Sequence, residues 1–299
     1  MRNRYGLLIM AIIFSLMLTT TSFGQDSTQS VMQELIERIA GDNVETYMQP
    51  FATALGTAVN TGLYHTAKIH GLPGFDVGVR VMFIPIPDDA NTYFAKSIDT
   101  DSVEANTVFG PKDFLNGFPG GLDIGFIPFA VLHLSFGLPM GTEVNLRYLP
   151  SFETNDDIPK IDLLGFGLSH SLDQYFPLPI PLLPQLSVGY MYQTFKVEDL
   201  IESTHQAFNI RLSKSVPMLT VHVGAQLESS DMDLTFKAGG IGEDITLELT
   251  GENEIRYTGG IRFTLFPFIG VNADYSVGEY SAINVGLNFS FDPPGIPVI

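Results

Sequence analysis

The sequence predicts an all-β fold, a transmembrane antiparallel β-barrel entered by a short helical N-terminal segment. Three observations predict it. From Phe75 to Phe291, apolar and polar residues alternate in run after run of strand length, the period of two that a wall between lipid and a wet lumen requires. Beyond the N-terminal run, no stretch has the ~18 consecutive apolar residues of a spanning helix, so a membrane crossing has to be β. The chain also opens on an export signal.

In that signal Arg2 and Arg4 precede an apolar run from Leu7 to Leu18, and small residues follow at Ser22 and Gly24. The run is shorter than the ~20 residues of a membrane anchor, so residues 1–24 read as a cleaved, Sec-type signal peptide. The expected destination is the bacterial outer membrane. Lys and Arg total 15 against 33 Asp and Glu, a net charge of −18 that argues against nucleic acid as a partner. The charged fraction of 16% falls below the ~25% of soluble domains. With no cysteine, disulfides, thiolate metal sites and an N-terminal lipid anchor are all excluded.

Residues 25–74 form the N-terminal segment, a candidate plug. Gln25 to Ser30 is polar; Val31, Leu35 and Ile39, with Met32 and Ile36, then recur at helical spacing. Asp42 or Asn43 caps a second helix through Val44, Tyr47, Met48, Phe51 and Leu55, in which Pro50 is expected to force a kink or restart. Asn60-Thr61-Gly62 reads as a turn, and Leu63 to His70 as either helix or first strand.

Residues 75–291 form the barrel, and residues 292–299 a C-terminal tail. Alternating runs begin at Phe75, Ala130, Val144, Ile161, Leu186, Phe208, Leu219, Met232, Ile245, Ile255, Ile269 and Ala282, about 12 strands, with 10–14 allowed. Apolar parity flips between Leu227 and Met232, so Ser229-Ser230-Asp231 is either a hairpin turn or a bulge in one long strand. With the C-terminus in the periplasm, the short connections at Leu138–Gly141, Lys214–Pro217 and Phe266–Phe268 are periplasmic turns. The acidic stretches Pro85–Pro128, Pro150–Lys160 and Val197–Glu202 then face outward. The apolar, proline-rich Ser171–Pro184 fits a periplasmic turn poorly and suits the membrane interface. A secreted β-sandwich shares the alternation, but runs of 9 to 13 residues match the ~9–11 needed to cross a bilayer at a tilt. With no Trp, Phe and Tyr supply the aromatic girdle.

The last run, Asn284-Val285-Gly286-Leu287-Asn288-Phe289-Ser290-Phe291, resembles the signal by which barrel-assembly machinery reads a client's final strand, carried here by Asn284, Gly286, Phe289 and Phe291. It departs from the common pattern in being followed by an eight-residue tail. Over nearly the whole mature chain, Tyr47-Met48-Gln49-Pro50, Ala54-Leu55-Gly56, Asn60-Thr61-Gly62, Phe75-Asp76-Val77-Gly78-Val79 and His170-Ser171-Leu172-Asp173-Gln174-Tyr175-Phe176-Pro177 carry a wider resemblance. The chain is similar in these to an uncharacterised family of exported bacterial outer-membrane barrel proteins. A helical segment ahead of the first strand more remotely resembles the outer-membrane long-chain fatty acid and hydrocarbon transporters. That resemblance implies a plugged lumen and lateral release of substrate, although the family's Asn-Pro-Ala-type plug motif has no counterpart here.

No catalytic, cofactor or metal site is expected. His65 and His70 lie five apart rather than four, His133, His170, His205 and His222 are scattered, and Ser169 and His170 point to opposite faces. The chemistry falls instead on the lumen, where Asp76, Arg80, His133, Glu143, Arg147, Arg211, His222, Glu228, Glu254, Arg256, Arg262 and Asp274 are expected. Such a set serves either a charge-filtering channel or a salt-bridged filling, the filling being favoured at this strand number. The functional expectation is a transporter or channel for small, including hydrophobic, molecules. Alternatives are an interaction barrel binding a partner through its acidic loops, and the soluble secreted module. Expected partners are outer-membrane lipid, the assembly machinery and a small hydrophobic ligand.

Overall fold

The computed structural model describes residues 43–96, 102–149, 160–176, 184–237 and 244–292. The expected signal peptide, the Val31–Ala40 helix, the tail beyond Asp292, residues 177–183 of the apolar 171–184 connection and residues 150–159 of the acidic Pro150–Lys160 stretch lie outside them.

The chain enters with helix α1 (Asn43–Asn60), which runs on through Pro50 without restarting there. Residues 61–74 follow as irregular chain, neither helix nor strand. The strands are β1 (Phe75–Pro85), β2 (Thr92–Ala95), β3 (Val103–Asn106), β4 (Phe126–Leu138), β5 (Thr142–Leu149), β6 (Ile161–Ser171) and β7 (Gln185–Val197). After them come β8 (Ile201–Val216), β9 (Leu219–Lys237), β10 (Asp244–Thr250), β11 (Ile255–Phe266), β12 (Ile269–Val277) and β13 (Ala282–Phe291). β2 and β3 form a separate hairpin within the 86–125 connection.

All remaining strands join one antiparallel sheet that closes between β8 and β9, with β1 paired to both β13 and β4. The wall has ten strands, because β10 and β11 are successive pieces of one wall strand. β10 pairs with β9 at residues 231–237, and β11 pairs with the same strand at 219–227. Ten lies at the lower end of the expected range. Two runs that read as separate strands, Leu219–Leu227 and Met232–Phe236, are one strand of 19 residues.

Ser229-Ser230-Asp231 is therefore neither turn nor bulge. Side-chain alternation passes through it unbroken: Gln226, Glu228, Ser230, Met232 and Leu234 are all buried on the inner face. What changes there is the medium on each side. Below, the outer face carries Val221, Val223 and Leu227 and the inner face His222 and Gln226; above, Asp231 and Asp233 point out and Met232 and Leu234 point in. β1 makes the same change on its inner face, from Asp76 and Arg80 to Met82 and Ile84. β4 makes it from Ser135 and His133 to Val131 and Phe129. A strand that leaves lipid for water exchanges the chemistry of its faces while keeping its geometry.

One end of the barrel has the tight connections β4–β5, β8–β9 and β11–β12 together with the longer β6–β7 connection, where Gln174 donates to the Met140 carbonyl of the β4–β5 turn (3.2 Å); the other has the 86–125 connection, the longest of all, and the connections β5–β6, β7–β8, β9–β10 and β12–β13. Short turns mark the periplasmic end and long loops the exterior. Phe75, Phe268, Phe289 and Phe291 cluster at the short-turn end with ring centroids 5.8–6.2 Å apart, an aromatic rim made without Trp. Between the rims the outer faces form a belt of exposed apolar side chains, including Phe166, Leu168, Phe208, Ile210, Val223, Ile261, Tyr275 and Leu287.

Candidate functional site

The lumen is occupied by the chain's own segment 43–74. A helix about 10–12 Å across fits a bore this narrow only if its side chains are small. Ala52, Thr53, Ala54, Gly56, Thr57 and Ala58 supply that, all buried. A Cβ on Gly56 would lie 2.6 Å from Ser230 Oγ of β9. Toward the exterior, α1 is packed by Met82, Ile84, Phe129, Phe195, Ile201, Met232, Leu234 and Leu249 from the wall, and by Ala105, Val108 and Phe109 from the 86–125 connection. The Tyr47 hydroxyl donates to the Gly120 carbonyl (3.1 Å), Val108 N donates to the Tyr47 carbonyl (3.1 Å), and Asn43 exchanges hydrogen bonds with the Lys96 backbone. Burial pushes the Tyr47 hydroxyl pKa up, keeping it a donor.

The C-terminus of α1 ends against wall side chains. The last carbonyls of a helix lack intrahelical partners and carry partial negative charge. Arg147 of β5 donates to the carbonyls of Val59 and Thr61, and to Gln193 Oε1 at 2.9 Å. Gln193 Nε2 donates to Val59 O (3.1 Å), and Gln226 Nε2 to Asn60 O (2.9 Å). Gly62 follows with φ +70°, the left-handed conformation that ends helices; a Cβ there would sit 2.9 Å from Asn284 Oδ1.

Below the helix, residues 63–74 thread through the polar half of the lumen. His65 Nδ1 accepts from Arg80, and its Nε2 faces Asp76 Oδ2 at 3.7 Å. Ala67 N donates to Ser213 Oγ at 2.9 Å. His70 meets Glu143 twice, through its backbone N–H (3.2 Å) and Nδ1 (2.6 Å). Gly74 O accepts from Gly137 N (2.9 Å) beside the short β4–β5 turn, and β1 begins.

Asp76, Arg80, His133, Glu143, Arg147, Arg211, His222, Glu228, Arg256 and Asp274 lie on the inner face, all buried. Arg262 is half-buried near the periplasmic rim, donating to Ser290 Oγ at 2.6 Å. Glu254 is a correction: it is exposed, in the break between β10 and β11. Extending the alternation back from Arg256 put it inside, but the chain has left the sheet there.

Several of the inner charges are matched locally. Arg256 pairs with Glu228, Asp76 accepts from Asn288 (3.0 Å) and Ser290 and faces Arg80 (3.7 Å), and Asp274 accepts from Asn284 (2.7 Å) and Asn272 (3.3 Å). Arg211 donates to Ser187 Oγ and lies over the Tyr64 ring. Asn284 and Gly286, read from sequence as assembly-signal positions, thus stand inside this network: a Cβ on Gly286 would collide with Asn272 and Arg80. Phe289 and Phe291 belong to the aromatic rim. Sequence reading missed His65, His70, Asn43 and Gln193, whose partners lie from 11 to more than 130 positions away. Among the described residues, no group of three or more His, Cys, Asp or Glu is arranged to hold a metal ion.

The wall also has an apolar groove of about 630 Å³ on its lipid side, lined by Ile210, Leu212, Val223, Gly259, Tyr257 and Val277, with Arg211, Gly224 and Thr258 of the inner face also at its lining.

A closed antiparallel barrel with an apolar belt, an aromatic rim and a polar, filled interior is an outer-membrane β-barrel. The chain belongs to the family of unknown function DUF6588, whose model matches residues 1–291. Among solved structures it is similar to the translocator domain of the autotransporter NalP from Neisseria meningitidis (10% identity, 84% of this chain and 98% of that one, TM-score 0.33). It is similar also to the KdgM porin (10%, 72% and 99%, 0.32) and to Omp33 of Acinetobacter baumannii (8%, 76% and 100%, 0.29). No curated protein matches the chain.

Proposed function

We propose that this protein is a gated transporter or channel of the bacterial outer membrane, delivered by Sec-type export, in which residues 43–74 are the plug and small molecules pass when that segment shifts. The observation that carries the reading is the attachment of α1: its C-terminal carbonyls are held by Arg147, Gln193 and Gln226 of three wall strands, polar contacts that can be exchanged for water. An apolar seal all the way down would have no such alternative partner in a wet lumen. The test is single-channel conductance in planar bilayers of the intact protein and of a variant lacking residues 43–60. Folding of the variant is checked by its heat-dependent gel mobility. The folded deletion variant should conduct several-fold more; equal conductance would sink the plug.

The same reading takes the cargo to include small apolar molecules, and the groove at Gly259 supports it. A Cβ at Gly259 meets nothing within 4 Å, so Gly259→Leu fills the groove without a clash. Uptake of an apolar solute by proteoliposomes should fall in that variant while conductance to salt is kept. Equal uptake would show that the groove takes no part in the passage of apolar solutes.

A further inference from the structure

We infer that the chain is threaded through its own barrel with its N-terminus outward, so that the residues ahead of Asn43 are presented on the extracellular side. This gives the protein a second function, display of its own N-terminal peptide. The inference rests on the outer-membrane reading above and on the direction of one segment.

That direction is fixed by contacts in sequence order. Asn43 and Tyr47 bond to Lys96, Val108 and Gly120, all in the connection that leaves β1 at Pro85 and enters β4 at Phe126, the long-loop end. Asn60 is held midway by Gln226, His70 lies against Glu143, and Gly74 bonds to Gly137 beside the short β4–β5 turn. β1 then starts at the periplasmic rim, with Phe75 opposite Phe291. The segment descends from exterior to periplasm. Its helical part alone spans about 27 Å at 1.5 Å per residue, most of the bilayer's hydrocarbon thickness of ~30 Å.

α1 packs against β1, β4, β8, β9 and β10, and its small side chains already touch the wall. The Asn43 end of the helix is bonded to the 86–125 connection, at the long-loop end. The wall closes by pairing β1 with β13, and β1 directly follows the threaded segment, so 43–74 can be enclosed as that seam zips.

The chain has no cysteine, so a single introduced thiol is its only maleimide site. Full-length Ser27→Cys, Asp113→Cys (86–125 connection) and Pro217→Cys (short β8–β9 turn) would be expressed separately. Each is treated on intact cells with a membrane-impermeant maleimide, then again after outer-membrane permeabilisation. Ser27→Cys and Asp113→Cys should label on intact cells, and Pro217→Cys only after permeabilisation. Labelling of Asp113→Cys but not Ser27→Cys on intact cells overturns the threading and leaves the outer-membrane reading standing. Labelling of Pro217→Cys alone on intact cells inverts the barrel, and labelling of none removes it from the surface; either overturns both.

Discussion

Arg147 donates to the carbonyl oxygen of Thr61 at 3.1 Å, and neither residue belongs to the other's local structure. A guanidinium on the inner face of β5 closes the end of a helix that lies 86 positions earlier in the chain. Its charge is met by helix-end carbonyls and Gln193 Oε1. This contact ties the contents of the barrel to its wall.

Arg147→Met should therefore loosen the segment without removing the barrel. Losing hydrogen bonds from a charged group typically costs about 1.5–3 kcal/mol. Urea unfolding in detergent micelles should show a destabilisation of that order while heat-dependent gel mobility is retained. A variant as stable as the parent would mean that the helix end is held by Gln193 and Gln226 alone.

Glu228 and Arg256 are both fully buried, so removing one leaves the other unmatched. Glu228→Gln is expected to cost about 3–5 kcal/mol, whereas replacing both by Met should cost much less, because no charge is then left inside. Unfolding midpoints of the two variants decide this. A double variant worse than the single one would show that the pair does more than neutralise itself.

Glu143 meets His70 at both the backbone N–H (3.2 Å) and the ring Nδ1 (2.6 Å), so His70→Ala leaves a buried carboxylate short of a partner. It should cost about 1.5–3 kcal/mol, read from urea unfolding in detergent micelles. A variant as stable as the parent would show that the backbone N–H alone satisfies the carboxylate.

The exchange of face chemistry along β9 locates the edge of the lipid. Val223→Arg puts a charge in the apolar belt and should cost about 2–4 kcal/mol, while Thr235→Arg, outward above Asp233, should cost about 0–1 kcal/mol. Both are read by reversible unfolding in lipid vesicles. Equal costs would place the boundary elsewhere on the strand.

Where the lattice of alternation is local, the sequence was sufficient. The β class, the inner face of each clear strand, the periplasmic turns and ten of the buried inner residues follow from period two and turn chemistry, because the pleat sends neighbouring side chains to opposite sides wherever the strand lies. The same rule miscarried at Glu254, where the chain leaves the sheet, and at Ser229–Asp231, where the solvent on each face changes but the strand does not.

Pairing across distance was another matter. That β10 and β11 share one wall position depends on both facing β9. That His70 finds Glu143, Asn43 finds Lys96 and Arg147 finds Thr61 depends on closure of β1 against β13 around the segment. The sequence by itself determined which side chains turn inward. Only the tertiary structure decided what they meet there, because a closed barrel fixes partners by height and azimuth around its axis, and neither coordinate is written in the spacing of residues along one strand.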